Sequence, residues 1–210
     1  MKVTGIRTEA IDGLTERVFI VTDEGQIECI FHPAASSRGV IWLCGALGGF
    51  DGPSFGIFRI LAEAMAKDGV SSLRLHYRYP GEFRECVLDV LAGVGFLKRK
   101  GIDRLALVGH SFGGAVAIEA GRLSEEVKAV VGLSSQTYGA RRVAELSPRP
   151  LLLIHGERDR NLPPESSRYI YEWARQPKEL YILKGNGHFL REAHDDLVLR
   201  VREWLLSKLV

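Results

Sequence analysis

Two kinds of apolar run divide the chain. In the first third they are short β-rich stretches, Arg17–Asp23 and Gln26–His32, which read as strands with Glu24-Gly25 between them as a hairpin turn. Beyond the polar turn Pro33–Gly39 the pattern changes, and Val40-Ile41-Trp42-Leu43-Cys44 is apolar at every position. A strand with no polar face is covered on both sides, as in a parallel sheet lying between layers of helix.

From there strands and helical periodicity alternate. Phe58, Leu61, Ala62 and Met65 recur at helical spacing and predict a helix over Phe55–Asp68, stopped by Gly69. Ser71–His76 reads as a strand, Phe83–Arg99 as a helix, Leu105–Val108 as a strand, Gly113–Arg122 as a helix and Val127–Leu133 as a strand. Strands at Leu151–His155 and Glu179–Leu183 flank a helix near Glu165–Trp173, and an amphipathic helix over Asp195–Leu206 closes the chain. This order predicts an α/β fold with a mostly parallel twisted sheet of about eight strands and helices on both faces. Without repeats, low-complexity segments or a linker, residues 1–210 read as a single domain. In such sheets ligands bind at the carboxyl ends of the strands, so reactive residues directly after strands matter most.

Composition narrows the function classes. A formal net charge of +2 argues against nucleic acid or an anionic membrane as the main partner. Lys98–Arg99–Lys100 and Arg141–Arg142 sit beside predicted helix ends and read as solvated faces. Cys29, Cys44 and Cys86 are odd in number, widely spaced and outside any zinc-type cluster, so they are expected as reduced thiols. The start of the chain carries no apolar stretch of signal-peptide length, and no run is long enough for a membrane span. The expectation is a soluble cytoplasmic protein.

The chemistry concentrates at three strand ends. Gly109-His110-Ser111-Phe112-Gly113 matches G-x-S-x-G between an apolar strand and a helix, a turn that needs small neighbours and lifts the serine hydroxyl above the sheet. A serine hydroxyl needs a base within reach to act as a nucleophile. His188, in the loop Gly185-Asn186-Gly187-His188-Phe189 after the last strand, is placed to be that base. Asp159 follows the penultimate strand and is the candidate to orient the imidazole, with Glu157 as its rival. The oxyanion hole is expected from the backbone N–H of Phe112 and of Ala46, with Leu47 as the alternative to Ala46, in the Gly-rich loop Cys44–Phe50.

On these motifs the chain resembles the α/β-hydrolase superfamily, in particular its small single-domain esterase and dienelactone-hydrolase-like members. The elbow around Ser111, then Gly156-Glu157-Arg158-Asp159, then Gly187-His188, stand in the family's Ser–Asp–His order. Members often carry histidine before the oxyanion-loop glycine, where this chain has Cys44, and dienelactone hydrolases proper use cysteine where it has Ser111. The resemblance implies hydrolysis through an acyl-enzyme, with no metal or organic cofactor. A lid inserted after the strand beyond the elbow helix is absent, since Ser134–Pro150 has room only for a short helix at Gly139–Leu146. An open site with a shallow pocket drawn from Leu47, Phe50, Tyr138, Leu162 and Phe189 predicts small or short-acyl esters as substrates. A thioesterase, an amidase and a non-catalytic binding protein on the same fold stay open as alternatives. The chain is expected as a monomer or homodimer, an uncovered edge strand being one route to the latter.

Overall fold

A computed structural model describes the chain from Met1 to Val210. Its core is a sheet of nine strands: β1 (Val3–Ala10), β2 (Glu16–Thr22), β3 (Gly25–His32), β4 (Arg38–Leu43), β5 (Ser71–His76), β6 (Arg104–His110), β7 (Val127–Leu133), β8 (Leu151–Gly156) and β9 (Lys178–Leu183). Five α-helices join them: α1 (Ile57–Lys67), α2 (Phe83–Arg99), α3 (Phe112–Leu123), α4 (Glu165–Trp173) and α5 (His194–Lys208). The strand order is β1-β2-β3-β5-β4-β6-β7-β8-β9. The first three strands run antiparallel, down to the pairing of β3 with β5, and every later pairing is parallel.

Side-chain alternation makes the two layers. Ile41 and Leu43 of β4, with Leu105 and Leu107 of β6, face α2 and α3, while Val40, Trp42, Ala106 and Val108 face α1 and α5. The fully apolar runs are thus strands covered on both sides, and each aliphatic side chain buried there is worth about 1.5–3 kcal/mol. Helix α1 turns Ile57, Phe58, Leu61, Ala62 and Met65 inward, as its spacing predicts.

The chain order creates a switch point. From β4, helix α1 leads over one face to β5; from β5, helix α2 leads over the opposite face to β6, on the other side of β4. The loops after β4 and β6 therefore diverge and leave a crevice between them, the position at which open α/β sheets bind ligands. Between β7 and β8, Ser134–Pro150 holds a single 3-10 turn at Val143–Leu146, shorter than the helix expected from Gly139. No helix is long and apolar enough to cross a membrane.

Candidate active site

Ser111 stands between β6 and α3 with φ 58° and ψ −119°, a region non-glycine residues avoid. Strain of this kind costs about 1–3 kcal/mol and persists only where the surroundings over-determine it. Here the Ser111 N–H donates to the Leu133 carbonyl at 2.8 Å, and its own carbonyl accepts from Gly114 at 3.1 Å and Gln136 at 3.3 Å. The flanking glycines are required by space. A Cβ on Gly109 would lie 2.0 Å from the Gly113 carbonyl oxygen, and one on Gly113 2.3 Å from the Cys44 oxygen. Side chains at either position would push the elbow away from β4 and from the helix that follows.

Asp159 and His188 meet across the ends of β8 and β9. Asp159 Oδ2 accepts from His188 Nδ1 at 2.7 Å, and Oδ1 accepts from the backbone N–H groups of Asn161 at 2.8 Å and Leu162 at 2.9 Å. Burial works to raise the Asp159 carboxyl, but the Leu162 N–H and His188 outweigh it and hold it below the usual carboxylate range. Gly156 makes the junction possible, since a Cβ there would lie 2.4 Å from both the Asn186 and Gly187 carbonyl oxygens. Glu157, the rival carboxylate, instead accepts from the Gly185 N–H at 3.1 Å on the exposed side of the loop.

Behind this pair lies support the sequence analysis did not assign. Fully buried His155, at the end of β8, lies 3.1 Å from Asp159 Oδ2 and 3.0 Å from the Leu162 carbonyl through Nε2. Both partners are acceptors, so Nε2 carries the proton, and Nδ1 accepts from the Ser167 hydroxyl at 2.7 Å. Burial lowers the His155 pKa, in keeping with a neutral ring whose Nδ1 is free to accept from Ser167. His110 donates from Nε2 to the His188 carbonyl at 3.1 Å, and burial pushes its pKa down to about 4. The only sequence signal for either residue was a histidine at a strand end.

The crevice above these groups is a cleft of about 460 Å³, lined among others by Ser111, His188, Ala46, Leu47, Phe50 and Phe189. Gly45 packs so close that a Cβ on it would touch the Ser111 Cβ at 3.7 Å. Phe112 is the first residue of α3, so its N–H has no carbonyl a turn earlier to bind. Ala46 begins the corner of a turn closed by the Gly48 N–H on the Gly45 carbonyl at 3.0 Å. Of the pocket residues expected from sequence, Leu47, Phe50 and Phe189 border the cleft and two do not. Tyr138 packs edge-on against Phe83, which packs in turn on Phe112. Leu162 contributes backbone, its N–H to Asp159 and its carbonyl to His155. No group of three or more His, Cys, Asp or Glu side chains is placed to hold a metal ion.

This architecture has clear counterparts among solved structures. A dienelactone hydrolase of Anabaena variabilis superposes with a TM-score of 0.78 at 17% identity, covering 98% of this chain and 99% of that one. An esterase of Pyrococcus furiosus superposes with a TM-score of 0.77 at 20% identity, covering 100% and 97%. At these identities the likeness is one of fold, and the fold is that of the α/β-hydrolases. No protein-family model matches the chain. Among curated proteins it is 31% identical over 120 residues to the uncharacterized protein YfhR of Escherichia coli K12, a match taking in 45% of this chain and 42% of that one. The chain thus spans less than half the length of the curated relatives it matches.

Proposed function

We propose that this chain is a serine hydrolase that cleaves small or short-acyl carboxylic esters through an acyl-enzyme. The observation that carries the reading is the 2.7 Å bond from His188 Nδ1 to Asp159 Oδ2, in a cleft shared with the strained Ser111. With Nδ1 engaged, Nε2 of His188, a residue lining the cleft, is left as the basic nitrogen. Ser111 attacks the ester carbonyl as His188 takes its proton, and the Asp159 carboxylate stabilises the imidazolium. The N–H groups of Ala46 and Phe112 receive the charge that develops on the carbonyl oxygen, a contribution of about 2.7–4 kcal/mol for each donor. His188 then protonates the leaving alcohol and activates the water that releases the acid.

Short chains are favoured because only a 3-10 turn follows β7, where a lid would have to rise, and the loop corner at Leu47 is 94% exposed. The test is hydrolysis of p-nitrophenyl esters from acetate to dodecanoate, with Ser111→Ala in parallel. Turnover of the short esters, lost in the variant, is the expected result. Folded protein inert on every ester, or activity that survives Ser111→Ala, overturns the reading.

A further inference from the structure

Strand β5 does not border the candidate nucleophile, yet three contacts run to the loop that carries Ala46, from Arg74 and His76 of the strand and from Tyr77 just past it. The Tyr77 hydroxyl, just past the strand, donates to the Cys44 carbonyl at 3.3 Å. His76 Nδ1 accepts from the Gly49 N–H at 2.7 Å. Arg74, whose side chain is 6% exposed, holds the Asp51 carboxylate at 2.7 Å. The anchored residues, Cys44, Gly49 and Asp51, bracket the Gly45–Gly48 turn. Within that turn the corner has little packing of its own, Leu47 being almost wholly exposed. Where the Ala46 N–H points is therefore set from the two ends of the loop, with Tyr77 holding it at Cys44 and His76 at Gly49.

The fit around His76 is close. A Cβ on Gly48 would come within 2.7 Å of the imidazole Cε1 and 2.8 Å of Nδ1, so the loop backbone lies directly against the ring. The Phe50 ring packs on the same imidazole with centroids 5.6 Å apart. A ring nitrogen that accepts from an amide carries no proton, which places the imidazole proton on Nε2. His76 does not line the cleft and touches no reacting atom.

We propose that His76 is a positioning residue for the oxyanion donor: its unprotonated Nδ1 fixes the Gly45–Gly49 segment and, through it, the Ala46 N–H. The proposal rests on the serine-hydrolase reading of the cleft. A displacement of the donor by a fraction of an ångström weakens a contact that counts chiefly in the transition state, so the loss falls on kcat and not on KM.

The experiment compares His76→Leu, His76→Gln and His76→Asn on a short p-nitrophenyl ester, with Ser111→Ala alongside. Leu has no acceptor, and Gln carries its oxygen out toward the Nε2 position. Asn can place its oxygen where Nδ1 stands. The first two are expected to lose about 10–100-fold in kcat with KM within about threefold, and Asn to restore most of that loss. The rate at which a fluorophosphonate labels Ser111 should follow the same order, without depending on the choice of ester. Wild-type kcat in folded His76→Leu, or His76→Asn no faster than His76→Leu, overturns the proposal. In the wild-type protein, ¹⁵N NMR should show His76 protonated on Nε2 alone, with Gly49 coupled to Nδ1 through the hydrogen bond; a proton on Nδ1 overturns it even if no variant folds. If Ser111→Ala stays active, the serine reading fails and this proposal with it. An inactive Ser111→Ala beside a fully active His76→Leu removes His76 alone.

Discussion

Replacing Asp159 with Asn tests the proposed chemistry through a single proton. Four donors converge on the carboxylate: the N–H groups of Asn161 and Leu162 on Oδ1, and His188 Nδ1 and His155 Nε2 on Oδ2. The two backbone donors cannot turn, so an asparagine must offer them its oxygen and point its NH₂ at the imidazoles. His155 keeps the Leu162 carbonyl at 3.0 Å as an acceptor for its proton. His188 has no such alternative at Nδ1, and it relieves the clash of donors by moving its proton to Nε2. That is the nitrogen meant to take the proton of Ser111. The variant should stay folded, with both backbone bonds kept, and yet lose about 10⁴-fold in kcat, the scale seen when this exchange fixes the wrong tautomer in a serine protease. Such a loss corresponds to about 5.4 kcal/mol of transition-state stabilisation.

The assay is steady-state hydrolysis of p-nitrophenyl acetate and butyrate, with urea unfolding on the same preparations. KM should move little, because the substrate's ground state does not contact Asp159. A folded Asp159→Asn that retains more than about one tenth of wild-type kcat would refute the tautomer argument. Glu157 would then be the next carboxylate to test.

Gly156→Ala should destabilise the fold by about 1–3 kcal/mol, seen as a lower urea midpoint, and reduce activity, because its Cβ would press on two backbone carbonyls beside His188. Gly187→Ala, with nothing within 4 Å of the added carbon, should leave the midpoint unchanged, and equal midpoints in the two variants would contradict the packing argument. Ser167→Ala removes the donor to buried His155 Nδ1 and should cost about 1–3 kcal/mol in the same urea assay, a loss that an unchanged midpoint would rule out. Buried His32 and His110 are each held at about 4, against an ordinary value of 6.5, first by burial and then by Arg74 and His188 respectively. The unfolded chain binds more protons than the folded one between those values, so stability should fall as pH drops from 6.5 towards 4. Urea midpoints at successive pH values should show the decline, and His32→Gln should flatten it; a flat wild-type profile would contradict it.

In the parallel part of the sheet Val40–Leu43 and Leu105–Val108 were legible because a doubly covered strand is apolar at every position. Phe83–Arg99, Ser71–His76 and Val127–Leu133 fall where their patterns place them. Strand β1 escaped because none of Val3–Ala10 is buried, and it is a strand through its register with β2, Ile6 opposite Ile20. Ser111, Asp159 and His188 could be selected because each follows a strand. What supports them could not, since the bonds of His155 to Asp159 and of His76 to Gly49 depend on which strand ends become neighbours. The pocket was the least legible part. Tyr138 and Leu162 are near the site in sequence logic, but an aromatic neighbour claims one and backbone bonding the other.

The local geometry bears on whether the fold is used for catalysis or only for binding. At a turn that served packing alone, glycine would take Ser111's backbone angles without the cost of about 1–3 kcal/mol that a side chain incurs there. Glycine already fills the neighbouring positions where a Cβ would collide, so the chain uses that residue freely in this turn. The serine kept at that strained position lines the same cleft as His188, whose Nδ1 is bonded to the buried carboxylate of Asp159. A binding site could use any hydrogen-bonding side chain in a relaxed conformation. A nucleophile must approach a carbonyl from a defined direction, and a serine held in a strained conformation beside this cleft is what the proposed catalytic role calls for.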